Sequence, residues 1–304
     1  HYDHLGLGEQ SSMAPSEVGT AHLGADDNAS GTAGVIELAR WFAGRQKLKR
    51  GVVFLAFAGE EIGLLGSSFW ANHPQLPLAN AVAMINLDMV GRPREAKIYI
   101  GGVGTGSTLK ALAEQSVSKY KLNADLSGTS GIGASDHVSF TSKQVPALFF
   151  FSGLHSDYHK PSDTWEKIDA PAAVEVLRAV ADLTQRLIDA PQRPQFVKSA
   201  APPPPGRVGG QGGARPWFGS VPDFAQTEKG VRFADVQPGS PAQQAGLRLG
   251  DVLIEFGGKP IQNLYDFQYA LSAHKAGEEV TVKVLRAGQT IEVKVRLAPR
   301  GQAS

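Results

Sequence analysis

Short blocks of imidazoles and carboxylates recur between residues 1 and 159 of the chain: His1-Tyr2-Asp3, Asp26-Asp27-Asn28, Gly59-Glu60-Glu61, Asp88 and His159. With no cysteine present, histidine nitrogen and carboxylate oxygen are the only strong zinc donors available. The series is what two zinc ions would need. Paired ions roughly 3.5–4 Å apart can acidify a bridging water and polarise a peptide carbonyl together. A carboxylate outside the ligand set must then take the water's proton. Adjacent Glu60 and Glu61 suit that division, one binding metal and the other touching the water. The chemistry expected is that of a metal-dependent hydrolase.

Such side chains have to be aimed into one cleft, and the surrounding sequence offers elements to do so. Each block follows an apolar run or sits at a glycine-rich bend. Val35, Leu38, Ala39 and Phe42 recur at helical spacing after Asn28-Ala29-Ser30-Gly31, with Asp27 or Asn28 available as a cap. Residues 52–58 form a continuous apolar run, as a strand buried on both faces should. Residues 81–87 and 147–151 read as two more strands, and 171–188 as a closing helix. This alternation predicts an α/β fold, a three-layer mostly parallel sheet flanked by helices. Glu60 and Glu61 follow one strand, Asp88 the next, and residues 152–159 the last. That is the carboxyl-end crevice where open parallel sheets bind ligands. Trp41, Phe42, Trp70 and Phe140 are expected in the core.

The bulk composition removes other functions. Lys and Arg number 30 against 29 acidic residues in 304, so no global field draws the chain to nucleic acid or an anionic membrane. No apolar run reaches transmembrane length. An opening without Met, in which the first candidate ligand is the first residue, reads as a chain that has lost upstream residues, including any export signal. Residues 191–215, with Pro202-Pro203-Pro204-Pro205 and Gly209-Gly210-Gln211-Gly212-Gly213, read as a linker. It separates a unit over 1–190 from one over 216–299.

In order, the blocks are His1-Tyr2-Asp3, residues 24–31, residues 59–67, Asn86-Leu87-Asp88-Met89, Ser135-Asp136-His137 and residues 158–164. Together they closely resemble the co-catalytic zinc aminopeptidases, a family that also contains glutamate carboxypeptidases and glutaminyl cyclases. The resemblance spans 1 to about 190. It implies a zinc-exopeptidase fold, two zinc ions and hydrolysis of amino-terminal residues from peptide substrates, with carboxypeptidase or glutaminyl cyclase activity as siblings. An inactive peptide-binding adaptor is a further reading. Carried over by motif, His1 and Asp88 would hold one zinc, Glu61 and His159 the other, and Asp26 would bridge them. Glu60 would be the general base, Asp3 would orient His1, and Asp27 and Asp136 would support from behind. The family's cis peptide would fall at Asp26-Asp27. Strands that flank the histidine-bearing one in the family are absent, so the sheet is expected to lack edge strands. Where some relatives carry a tyrosine beside the oxyanion, Ile132 stands here, and Tyr158 is the substitute. His4, His22, His73 and His155 belong to no such block and read as surface or packing residues, although His155 shares the loop of His159. His137 is expected to be structural.

The second unit has its own pattern. Pro216-Trp217-Phe218-Gly219-Ser220, residues 236–242 and Gly250-Asp251-Val252-Leu253-Ile254 precede an expected helix over 263–271. A hairpin of 280–285 and 290–297 turns at Ala287-Gly288. This resembles a mainly-β bacterial PDZ domain. The resemblance implies binding of a peptide or protein C-terminus as an added strand, its carboxylate on the amides of Phe218, Gly219 and Ser220. Absence of cysteine and the inferred missing signal suit a periplasmic or secreted bacterial protein.

Overall fold

The computed structural model describes residues 1–45, 47–126, 135–198, 216–222, 230–261, 266–267, 270–271 and 273–299. It divides into two compact units, His1–Ala201 and Pro202–Ser304. Among the described residues, the first is built on four strands, β1 (Met84–Leu87), β2 (Lys97–Gly101), β3 (Asn123–Asp125) and β4 (Ala147–Phe151), in the order β1-β4-β2-β3. The β1–β4 and β2–β3 pairings are parallel and the β2–β4 pairing is antiparallel, so the sheet is mixed. Among the described residues, five α-helices accompany it: α1 (Gly31–Ala43), α2 (Leu65–Asn72), α3 (Leu109–Lys119), α4 (His137–Thr141) and α5 (Ala170–Asp189).

The alternation of strand side chains sorts them between two layers. Leu148 and Phe150 of β4 enter a core with Leu38 and Phe42 of α1, Leu109 and Val117 of α3, and Val176 and Leu183 of α5. Phe149 and Phe151 stack on each other at 5.7 Å, and Phe149 also stacks on His137 of α4. Full burial of side chains this size stabilises by about 1.5–3 kcal/mol each. Helix α5 starts where its sequence says it should, with Asp169 accepting the Ala172 amide at 3.0 Å and Pro171 in the first turn.

The run over 52–58 departs from the expectation. It joins no strand ladder, and Val53 is 53 % and Phe54 36 % exposed. Phe57 alone is buried there, its carbonyl accepting the Tyr2 amide at 2.9 Å. A cavity of about 690 Å³ lies beside this run, lined by Val52, Leu55, Ala83, Ile85 and Leu187 among others. Apolar composition makes a buried strand only where neighbouring strands cover both edges, and 52–58 has neither. Trp41 also leaves the core: it is 44 % exposed, with the Arg45 guanidinium 3.6 Å from its ring.

The first residues of the expected linker are tied to this unit. Val197 donates to Thr105 O at 2.8 Å and Ser107 to Gln195 O at 3.0 Å, so 195–197 lie along 105–107. Residues 199–215 lie outside the described residues, as does Ile132.

The second unit contains β5 (Pro216–Trp217), β6 (Ser220–Pro222), β7 (Val231–Val236), a short α6 (Pro241–Gln244), β8 (Val252–Phe256), β9 (Lys259–Pro260), β10 (Glu279–Arg286), β11 (Gln289–Arg296) and β12 (Ala298–Pro299). One sheet runs β11-β10-β8-β7-β6, with β9 on β8, and β5 pairs with β12. Arg286 pairs with Gln289, which leaves Ala287 and Gly288, both at positive φ, as a two-residue hairpin turn. Phe218, Phe233, Phe256 and Phe267 fill its core. Of the helix expected over 263–271, residues 266–267 and 270–271 are helical and the others lie outside the described residues. Among the described residues, no helix is long and apolar enough to cross a membrane.

Candidate metal centre

Two histidines from opposite ends of the first unit turn the same edge toward the same place. His1 Nδ1 donates to Asp3 O at 3.0 Å and His159 Nδ1 to Ser11 O at 2.8 Å. Each ring is thereby fixed with Nε2 forward. His1 Nε2 lies 3.4 Å from Asp27 Oδ1 and 3.5 Å from Asp88 Oδ1. His159 Nε2 lies 3.2 Å from Asp27 Oδ2 and 3.3 Å from Glu61 Oε2. Two triads therefore meet on opposite oxygens of one carboxylate.

That carboxylate is Asp27, and this corrects the expectation for Asp26. Asp26 is fully buried and faces away: Oδ1 accepts the Gly91 amide at 2.7 Å and Oδ2 pairs with His155 Nε2 at 3.1 Å. The cis peptide likewise falls at Asp27-Asn28, one bond later than expected. The next residue completes the turn. Asn28 Oδ1 accepts the amides of Gly31 and Met89, and its Nδ2 donates to Leu87 O, so one side chain caps α1 and ties it to the end of β1. Gly31 has to be glycine for this, since a Cβ would run into Asn28 Oδ1 and Leu87 O.

The remaining candidates are held from behind. Asp3 accepts the amides of Glu60 and Glu61 on its two oxygens, at 3.2 and 3.3 Å, and lies 3.6 Å from His1 Nδ1. Asp88 Oδ2 takes the Ser135 hydroxyl at 2.7 Å, which leaves Oδ1 for the His1 group. Asp136 Oδ2 stands 3.6 Å from the His1 main-chain nitrogen, and burial raises its pKa to about 6. His137, stacked on Phe149, is pushed down to about 3 by burial and stays structural. The Tyr158 ring lies flat on His159, with centroids 3.8 Å apart.

The electrostatics ask for positive charge at both positions. Burial opposes a charge on either imidazole. Even so, Asp27, Asp3 and Asp88 lift His1 far above the histidine range, and Asp27 and Glu61 lift His159 to about 10. Burial would also raise Asp27, but His1 and His159 hold it far below the usual carboxylate range. Glu60 moves the other way, pushed well above its usual value by burial and by the Asp88 carboxylate. A donor set of imidazole nitrogens and carboxylate oxygens fits zinc. Ligands about 2.0–2.1 Å from one tetrahedral ion stand about 3.3 Å apart, and the contacts around Asp27 run from 3.2 to 3.5 Å.

Comparison with known proteins gives the family. Residues 1–184 match peptidase family M28. The chain belongs to that family. Residues 222–297 match the PDZ domain. Within M28, the chain is similar to aminopeptidase YwaD of Bacillus subtilis, at 30% identity over 58% of this chain and 40% of the relative. It is also similar to a probable leucine aminopeptidase of Arthroderma otae, at 28% identity over 54% of this chain and 48% of the relative. The chain thus spans less than half the length of both curated relatives. A crystal structure of a zinc aminopeptidase from Bacillus subtilis overlays with a TM-score of 0.50 and 27% identity, covering 58% of this chain and 45% of that one.

The M28 unit contains supports that the sequence reading did not single out. Asp163 Oδ2 accepts the amides of both Asp26 and Asp27, at 2.9 and 3.1 Å, and so fixes the backbone that presents the central carboxylate. Asp163 lies in the block 158–164, but its motif does not say which amides it faces. His155 is more than packing. It joins Asp26 to Arg92, and Arg92 continues to Asp157 at 2.9 Å. His4 comes within 3.0 Å of Glu61. Its signal was proximity in sequence to His1 and Asp3, which is weak without the fold.

Proposed function

We propose that the chain is a two-zinc exopeptidase that removes amino-terminal residues from peptides, with the PDZ unit holding a peptide or protein C-terminus. The observation that carries this reading is the pair of forward-facing Nε2 atoms on opposite oxygens of Asp27. His1, Asp27 and Asp88 would hold one ion, and His159, Asp27 and Glu61 the other. Bound there, zinc would supply Lewis acidity toward a peptide carbonyl and acidify an attacking water. Glu60, whose main-chain amide is held by Asp3 and whose carboxyl is lifted by burial and by Asp88, takes the water's proton and returns it to the leaving amine. Tyr158, against His159, is the candidate to steady the carbonyl oxygen. The free substrate amine suits a site whose carboxylates outnumber its imidazoles, and the names of the relatives support the same substrate class. In the PDZ unit, β6 is, among the described residues, an edge strand paired with β7, and its other edge is the candidate for an added strand. The amides of Phe218, Gly219 and Ser220 precede and open that edge; the Phe218 ring itself is buried in the core. A periplasmic or extracellular location fits a chain without cysteine. Dipeptides with free and with blocked amino termini, assayed alongside zinc content, test the proposal. Equal turnover of both substrates, or activity unaffected by removing zinc, refutes it.

A further inference from the structure

We propose that His4 is a positioning residue for the second metal, gripping one oxygen of Glu61 so that the other alone faces the ion; this rests on the two-zinc reading above. His4 Nδ1 lies 3.0 Å from Glu61 Oε1, while Glu61 Oε2 faces His159 Nε2 at 3.3 Å. A carboxylate oxygen can only accept, so Nδ1 carries the proton and donates it. The same arrangement recurs at the other triad, where the Ser135 hydroxyl takes Asp88 Oδ2 and leaves Oδ1 forward. Each outer carboxylate thus has one oxygen pinned by a side-chain donor and one presented, while Asp27 presents both.

Geometry argues against His4 as a ligand. Its Nδ1 is 4.0 Å from Asp27 Oδ2, beyond the 3.2–3.5 Å that separates the ligand atoms of the two triads. The ring is nonetheless held firmly. Its side chain is 9 % exposed, and it meets the His159 ring edge-on at 5.7 Å. Gly24, at φ 59°, leaves the room, since a Cβ there would strike the His4 ring. The other nitrogen, Nε2, is buried without a hydrogen-bond partner. A histidine buried at the cost of one unpaired nitrogen, with its other nitrogen on a ligand carboxylate, is placed for that contact rather than for filling space.

The test is zinc binding by competitive chelation on the full chain, with unfolding followed on the zinc-free proteins. The wild type is expected to hold two ions. His4→Leu should weaken one of them by about 10–100-fold and leave the other unchanged, the usual effect of losing a partner behind a ligand. His4→Asn, whose amide nitrogen takes the place of Nδ1, should recover most of that loss. If His4→Leu does not fold, His4→Gln replaces it: its amide reaches the Nε2 position, where no partner waits, so it should lose the ion that His4→Asn keeps. A folded His4→Leu that holds both ions as tightly as the wild type would mean that His4 only fills space. Equal loss in His4→Asn and the other variants would overturn positioning by Nδ1. A wild type holding fewer than two ions would bring down the two-zinc reading itself, and the inference with it.

Discussion

At the scale of single residues, Asp26 and Asp27 are the instructive pair. Motif order locates the turn proposed to bind metal but cannot say which of two adjacent aspartates points inward, because that depends on a backbone reversal fixed elsewhere. Asp163 holds both amides, Gly91 and His155 draw Asp26 away, and Asp27 is left between the histidines. Asp27→Ala should therefore strip both zinc ions. Asp26→Ala should keep them and lower stability by about 1–3 kcal/mol, by leaving Gly91 and His155 without an acceptor. Metal analysis beside thermal unfolding separates the two, and retention of zinc in Asp27→Ala would refute the arrangement. Glu60→Gln is the complementary case: it removes a proton carrier and no ligand. Both ions should stay bound while turnover falls about 10²–10⁴-fold. Zinc loss comparable to that of Asp27→Ala would show that Glu60 is a ligand.

At the scale of elements, what was legible is what local pattern determines. β4, β1, α1 and α5 were read within a few residues, because an apolar run or a 3.6-residue stripe specifies them. β2 and β3 went unseen: Lys97-Ile98-Tyr99-Ile100 alternates over only a few residues, and Asn123–Asp125 is three residues long. The run over 52–58 was misread because burial depends on neighbours that composition cannot supply. One contact between elements gives a pH prediction. Asp182 of α5 accepts from Ser116 and Lys119 of α3 and from Arg186. Burial would raise its pKa, but Lys119, Arg186 and Ser116 outweigh that and hold it below the ordinary carboxylate value. A lowered carboxylate stabilises above its unfolded value, about 3.9, and that contribution fades as pH falls through the lower folded value. Asp182→Asn should cost about 1 kcal/mol at neutral pH, and the difference from wild type should shrink as the acid range is entered. A difference that stays constant with pH would mean that the ionised form contributes nothing.

At the scale of the whole molecule, the division between Ala201 and Pro202 falls inside the proline- and glycine-rich stretch 191–215, but that stretch does not begin as a free linker. Residues 195–197 look like linker in composition and are nonetheless bonded along 105–107. A truncation therefore has to spare them. Removing residues 202–304 takes away the whole second unit and breaks none of the contacts around Asp27, since His1, Asp88, Glu61 and His159 all lie in the first. On the proposed reading a dipeptide would engage only the metal centre, so dipeptide turnover and the protein's zinc content should be unchanged on truncation. On the same reading, a longer peptide would also meet the PDZ unit that the same chain carries. Where its C-terminus suited that edge, capture would raise its effective concentration at the centre, so the tether would act on KM more than on kcat. Removal of the unit should raise KM for such peptides and leave peptides with an amidated C-terminus unaffected, because an amide lacks the carboxylate that backbone amides would hold. Parallel kinetics on a dipeptide, a long free-acid peptide and its amide decide the matter. Loss of dipeptide turnover along with the rest would mean that the second unit completes the catalytic fold, and an equal effect on acid and amide would mean that its edge does not read a C-terminus.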